Sequence, residues 1–238
     1  MKQSFKITEG ARLAYVVAGS RPWNRATFDA HLATLPGRWT FIGNESELTL
    51  SRLLELAPTY VFFLHWSARV PSEILDRFEC VCFHMTDVPY GRGGSPLQNL
   101  IQRGHHDTQL TALRMVEDFD AGPVYLKEPL SLQGRAQDIY VRAGVLSAAM
   151  IRQIVEQNPE PTPQQGEVVV FRRRKPSQSL ITGDESLDQL HDIIRMLDAD
   201  GYPHAFVEQG SLRFEFRDAR LEAGRLTAQV SITQKQEA

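Results

Sequence analysis

A histidine that ends a short apolar run is where this sequence first offers chemistry. Cys80-Val81-Cys82-Phe83 leads directly into His84, and Met85-Thr86-Asp87-Val88-Pro89-Tyr90-Gly91-Arg92-Gly93-Gly94-Ser95-Pro96 follows. A buried strand looks like this when it delivers a titratable side chain to the carboxyl edge of a sheet, the edge where open α/β sheets bind ligands. The glycines and prolines behind it suit a tight loop that lets backbone approach a bound molecule. Farther along, Glu117-Asp118-Phe119-Asp120-Ala121-Gly122-Pro123 is a second loop of turn-formers. A histidine able to titrate near neutrality, with a carboxylate to orient it, is the minimum for general acid–base work.

The elements that must position this pair are visible in the hydrophobic pattern. Leu13-Ala14-Tyr15-Val16-Val17-Ala18 is continuously apolar and closed by Gly19, as in a strand buried on both faces. Pro22 to Leu35 carries Phe28, His31, Leu32 and Leu35 at helical spacing and stops at Pro36-Gly37. Trp39 to Ile42, Tyr60 to Leu64 and the run ending at His84 read as further strands. Helices from Ser46 to Leu56 and from Pro71 to Phe78 lie between them, and Ser95-Pro96 opens another. This alternation predicts an α/β fold with a Rossmann-like, mostly parallel sheet and helices on both faces. Gly19 stands alone after the first strand, so the fingerprint of a dinucleotide site is missing.

Beyond Asp120 the pattern changes. Val124 to Leu132 reads as a strand, and Arg135 to Gln157 as a long helix with Ile139, Ala143, Leu146, Met150 and Ile154 on one stripe. Asn158-Pro159-Glu160-Pro161-Thr162-Pro163 is a non-helical linker. Val168 to Phe171 is a strand, Leu187 to Leu197 a helix, and His204 to Val230 a set of strand segments broken by Gly210 and Gly224. The expected division is a catalytic domain over residues 1–160 and a small C-terminal α+β appendage over residues 161–238.

Composition narrows the class. With 42% hydrophobic and 23% charged residues, the chain is ordinary for a soluble globular protein. No apolar run is long enough to span a bilayer, and Met1 to Lys6 lacks the apolar core of a secretory signal, so cytoplasmic residence is the expectation. The formal net charge of −3 provides no basic footprint for nucleic acid. The one dense basic run, Arg172-Arg173-Arg174-Lys175, reads as a solvated strand end, with substrate phosphate as the functional alternative. Cys80 and Cys82 share a strand face about 6.6 Å apart, at the long limit for a bridge, and read as small buried hydrophobes. His105-His106 read as solvated, and His191 and His204 carry no functional pattern. His65-Trp66-Ser67 follows the third strand at the same sheet edge as His84, as pocket wall or as structure.

The residues resemble the folate-dependent formyltransferases, a family that includes methionyl-tRNA formyltransferase, glycinamide ribonucleotide formyltransferase and the sugar N-formyltransferases. The resemblance is carried by His84 at a strand end, Val88-Pro89-Tyr90-Gly91-Arg92-Gly93, Ser95-Pro96-Leu97-Gln98 and Phe119-Asp120-Ala121-Gly122. Its wording, with Phe171-Arg172-Arg173-Arg174-Lys175-Pro176, is similar to the branch of sugar formyltransferases and peptide-synthetase formylation domains. It implies an Asn-x-His…Asp catalytic set and 10-formyltetrahydrofolate as formyl donor. His84 and Asp120 fall on the family's catalytic positions, whereas Cys82 stands where asparagine is expected. A thiol is a poor hydrogen-bond donor, so a substitute is sought among His65, Ser67, Gln98, Asn99 and the backbone N–H groups of the glycine loop. On the same resemblance the donor is expected against His65, Trp66, Met85, Asp87, Ser95 and Phe119, and the acceptor against Tyr90, Arg92 and Gln98.

Residues 165–238 carry ten Lys/Arg against twelve Asp/Glu and are short for a helix plus a full nucleic-acid-binding barrel. The expected acceptor is therefore the amine of a nucleotide-linked amino sugar, as in polysaccharide biosynthesis, with small-molecule substrates, no nucleic-acid or membrane partner and a possible homodimer. An aminoacyl group on a carrier protein, or a catalytically inactive folate- or sugar-binding module, is the alternative.

Overall fold

A computed structural model describes residues 13–235. The reading made on Met1 to Lys6 lies outside the described residues. Six strands form the main sheet, in the order β2-β1-β3-β4-β6-β7. They are β1 (Ala14–Ala18), β2 (Arg38–Ile42), β3 (Tyr60–Phe63), β4 (Cys80–His84), β6 (Asp107–Arg114) and β7 (Val124–Ser131). The first four run parallel, β6 joins β4 antiparallel, and β7 joins β6 antiparallel. The parallel crossovers are made by α1 (Pro22–His31), α2 (Leu50–Leu56) and α3 (Ser72–Arg77). The α/β architecture with a mostly parallel sheet is thus present, as the alternating pattern requires.

Strand periodicity sorts the core into two layers. Tyr15, Val17, Tyr60, Phe62 and Val81 face one layer, against Trp23 and Phe28 of α1 and Ile139, Tyr140 and Ile151 of α5 (Ala136–Gln157). Val16, Ala18, Val61, Phe63 and Cys80 face the other, against Leu53 of α2 and Ile74 of α3. Both faces of β1 and β3 are therefore buried, which is why those strands read as unbroken apolar runs. By the same parity Cys82 and His84 belong to the α2–α3 face, with His84 at its carboxyl edge. No disulfide joins Cys80 to Cys82.

One strand was not legible in advance. Tyr90–Gly93, inside the glycine loop, is β5, and it pairs in parallel with β8 (Val169–Phe171). Gly93 takes φ +101, and a Cβ there would stand 2.5 Å from the Phe171 carbonyl oxygen, so only glycine lets the two backbones close. After β5 comes α4 (Pro96–Gln102). The segment after α5 is stitched back as well, through Val124 N–H to Thr162 O at 2.7 Å and Thr162 N–H to Val124 O at 2.8 Å. The remainder is α6 (Leu187–Arg195) packed on an antiparallel sheet of β9 (Ala205–Gln209), β10 (Leu212–Glu222) and β11 (Arg225–Gln234), the C-terminal α+β appendage. Among the described residues no helix is long and apolar enough to cross a membrane.

Candidate active site

β4 carries His84 into a pocket of backbone where only 8% of its surface is exposed. Its Nε2 lies 2.8 Å from the carbonyl oxygen of Gly91. A carbonyl only accepts, so Nε2 is the protonated, donating nitrogen. Nδ1 then faces Asp120 Oδ1 at 3.5 Å. Asp120 itself sits at φ +55, a left-handed conformation that aspartate tolerates better than most residues. Its other oxygen, Oδ2, accepts the Gly93 N–H at 2.9 Å. The glycine loop and the Asp120 loop therefore hold the two catalytic candidates in one register.

Asp120 and Cys82 open onto a cavity of about 240 Å³ that His84 does not itself line. Its walls come from three places: Arg69 and Val70 before α3 with Ser72 and Leu75 in it; Cys82 and Leu113 from β4 and β6; and Met115, Val116, Glu117 and Phe119. A lining that mixes apolar side chains with Arg69, Ser72, Glu117 and Asp120 suits a flat ring system that has a hydrogen-bonding edge. The volume falls below the roughly 300–1,000 Å³ of a site that engulfs a whole drug-sized ligand. It can take a bicyclic head group while a longer tail stays outside.

The remaining predicted residues scatter. Phe119 is on the cavity wall and 67% exposed, which leaves a large apolar surface free for a ligand. Trp66 packs edge-on against Phe63, 5.9 Å between centroids, and its buried Nε1 has no partner. Met85 is buried in the core layer below α1 and α5. Asp87 pairs with Lys127 on the surface. Ser95 Oγ accepts the Arg174 N–H at 3.0 Å, docking the basic run beside the glycine loop. Tyr90 OH reaches His105 Nε2 at 3.1 Å, so His105 is tied down rather than simply solvated. Arg92 donates from both Nε and an Nη to Gln164. Gln98 is buried, with its amide N–H groups spent on Tyr140 OH and the Met196 carbonyl, both at 3.0 Å. The amide N–H groups of Asn99 serve the carbonyls of Gly94, Ser95 and Arg172.

His65 turns away from the cavity. It bonds Tyr202, stands 4.4 Å from Tyr140 between ring centroids and packs on Trp23. Of the substitutes sought for the missing asparagine, Gln98 and Asn99 are thus spent as donors and His65 is engaged elsewhere. In the glycine loop the Tyr90, Gly93 and Gly94 N–H groups are spent as well, on the Asp87 carbonyl, Asp120 and the Phe171 carbonyl, while Ser67 is exposed and does not line the cavity. Burial, with the Arg21 charge adding to it, pushes the His65 imidazole down to about 4. Its unfolded value is near 6.5, so the stabilisation is complete above that pH and is lost as pH falls toward 4. Between pH 7.5 and 5 this predicts a loss of about 2 kcal/mol of unfolding free energy. Urea titrations check it, because His65→Gln should remove most of that slope.

Burial pushes the Cys82 thiol well above its usual range, and the neighbouring Asp120 carboxylate raises it further. It is a thiol, not a thiolate. Iodoacetamide at pH 8 should leave it unmodified, as peptide mass mapping would show. Cys82→Ala should cost less than about tenfold in turnover, the value of one ordinary hydrogen bond at most.

Against this geometry, similarity to known proteins is specific. The pattern of the methionyl-tRNA formyltransferase C-terminal domain matches residues 176–233. A solved structure of a methionyl-tRNA formyltransferase from Clostridium thermocellum is 39% identical, covers 94% of this chain and 100% of its own, and superposes with a TM-score of 0.89. The chain belongs to the formyltransferase family. Among curated relatives, the methionyl-tRNA formyltransferase of Thermodesulfovibrio yellowstonii is 23% identical over 61% of this chain and 50% of its own length. The chain thus spans about half of that relative. A 4-N formyltransferase from Francisella tularensis shares the fold at 14% identity and a TM-score of 0.62, with 95% of this chain and 100% of that chain covered. The cavity-wall residues Arg69, Val70, Ser72, Leu75, Leu113, Met115, Val116 and Glu117 are positions that the sequence did not single out. None of them carries a motif, and they meet only because β3, β4 and β6 are neighbours.

Proposed function

We propose that this member transfers a formyl group from 10-formyltetrahydrofolate to a primary amine, with His84 and Asp120 as the catalytic pair. The observation that carries the reading is the imidazole–carboxylate contact at the rim of a cavity sized for a bicyclic head group. Bound there, the donor supplies an activated formyl carbon. The chain's residues then have two tasks. The amine must lose a proton as its nitrogen bonds the formyl carbon, and Asp120, which faces the cavity, is placed to receive it. The oxygen of the formyl group gathers negative charge in the same step. Once Asp120 has taken the amine's proton, His84 Nδ1, 3.5 Å from Oδ1, can share it, and the protonated pair offsets that charge. Collapse then breaks the carbon–nitrogen bond to the donor, and the leaving nitrogen takes the proton. The Gly91 carbonyl holds His84 in the tautomer that this shuttle needs.

For the acceptor we propose the amine of a nucleotide-linked amino sugar. Residues 176–235 carry six Lys/Arg against ten Asp/Glu, so the appendage repels rather than attracts a polynucleotide backbone. The compact basic run Arg172–Lys175 is enough for a diphosphate. A charged initiator tRNA is the second reading, favoured by the 39% identity to a methionyl-tRNA formyltransferase. Incubating the protein and donor with either acceptor class, followed by mass spectrometry, tests the two readings together.

A further inference from the structure

We infer that Gln164 is a positioning residue for Asp120, an inference that rests on the formyl-transfer reading above. Within residues 162–168 Gln164 is the one side chain turned inward, its neighbours being exposed. Its amide Nε2 donates to the Asp120 carbonyl at 2.7 Å and to the Gly122 carbonyl at 2.8 Å. Its Oε1 accepts from Arg92 Nε at 3.0 Å and an Arg92 Nη at 2.8 Å. The four bonds use its donor and acceptor capacity fully.

The result is a closed ring. His84 bonds Gly91, Arg92 follows Gly91 and bonds Gln164, Gln164 grips the backbone of Asp120, and Asp120 returns to His84 and to the Gly93 N–H. The grip also fixes Asp120 in its left-handed backbone, a conformation sparsely populated even by aspartate. Arg92, expected to bind the acceptor, spends its Nε and one Nη on Gln164.

Two substitutions separate the halves of the brace. Gln164→Ala removes both. Gln164→Glu keeps an acceptor for Arg92 but loses the N–H groups that hold the Asp120 loop. If Gln164 positions Asp120, both variants lose about 10- to 100-fold in kcat, the scale of an ångström of misplacement, and the donor KM stays within about threefold of wild type. If Gln164 mattered only by holding Arg92, Gln164→Glu would keep wild-type kcat and overturn the inference.

Hydrogen exchange of the Gly93 amide provides a readout without turnover, since that N–H is bonded to Asp120. It should exchange faster in both variants, with Tyr60–Phe63 protection unchanged. Unchanged Gly93 exchange overturns the inference even if kcat falls. Faster Gly93 exchange in a protein that formylates no acceptor would support the brace and reject the formyl-transfer reading, so the two failures are distinguishable.

Discussion

His84→Ala and Asp120→Asn should each fold, keep the donor KM within a few-fold, and lose about 10²–10⁴-fold in kcat, the range of a positioned acid–base group. His84→Ala leaves the cavity wall intact, because His84 does not line it. It removes the imidazole that contacts Asp120, so the loss should be in turnover rather than in donor binding. Asp120→Asn is the more exacting test. The amide keeps the volume but brings an NH₂ into a site where Oδ2 accepts from Gly93 and Oδ1 faces His84. It cannot take the amine's proton. Steady-state kinetics on both variants, with circular dichroism to establish folding, would check this. Near-native turnover in either folded variant removes that residue from the mechanism.

Gly122→Ala should be nearly as damaging, for a reason of space. A Cβ on Gly122 would lie 1.8 Å from the Arg114 carbonyl oxygen, the tightest approach at any described glycine. Backbone cannot rotate aside as a flexible side chain can, so residues 120–123 must move away from β6. Asp120, two residues upstream and gripped with Gly122 by the same Gln164 amide, must move with them. Overpacking of this kind costs about 1–3 kcal/mol, and an ångström of displacement at a reacting group costs about 10²-fold in rate. Thermal melts and kcat should therefore fall together. An alanine variant with native Tm and native kcat would contradict the close approach.

How far these features could be read in advance depended on whether their cause was local. β4 and its terminal His84 were legible because an apolar run ending in a titratable residue carries its own explanation. The long helix α5 was legible through its Ile139–Ile154 stripe, which packs in the core layer as the spacing requires. β5 was not. Glycine is poor in strands, and Tyr90-Gly91-Arg92-Gly93 is extended only because β8, far along the chain, pairs with it. The cavity wall was equally hidden, since Arg69 to Leu75 and Met115 to Phe119 look like ordinary loop and helix sequence. His65, Met85 and Gln98 show the opposite problem. Each lies beside a motif and is polar or soft enough to suit a ligand. The core claimed them instead, through Tyr202 for His65, the layer below α1 and α5 for Met85, and Tyr140 with Met196 for Gln98. Gln164 gave no signal at all, because one polar residue in a proline-rich linker looks like its neighbours.

The His84–Asp120 pair is proposed to move a formyl group to an amine. The most direct test is mass spectrometry of a panel of nucleotide-linked amino sugars and charged initiator tRNA, each incubated with the protein and 10-formyltetrahydrofolate. The mass gain of one formyl group is expected on an amino sugar, appearing at least about 100-fold more slowly with Asp120→Asn. Gain on the tRNA alone would keep the chemistry and replace the acceptor. No gain on any member, with the donor intact, would contradict the account.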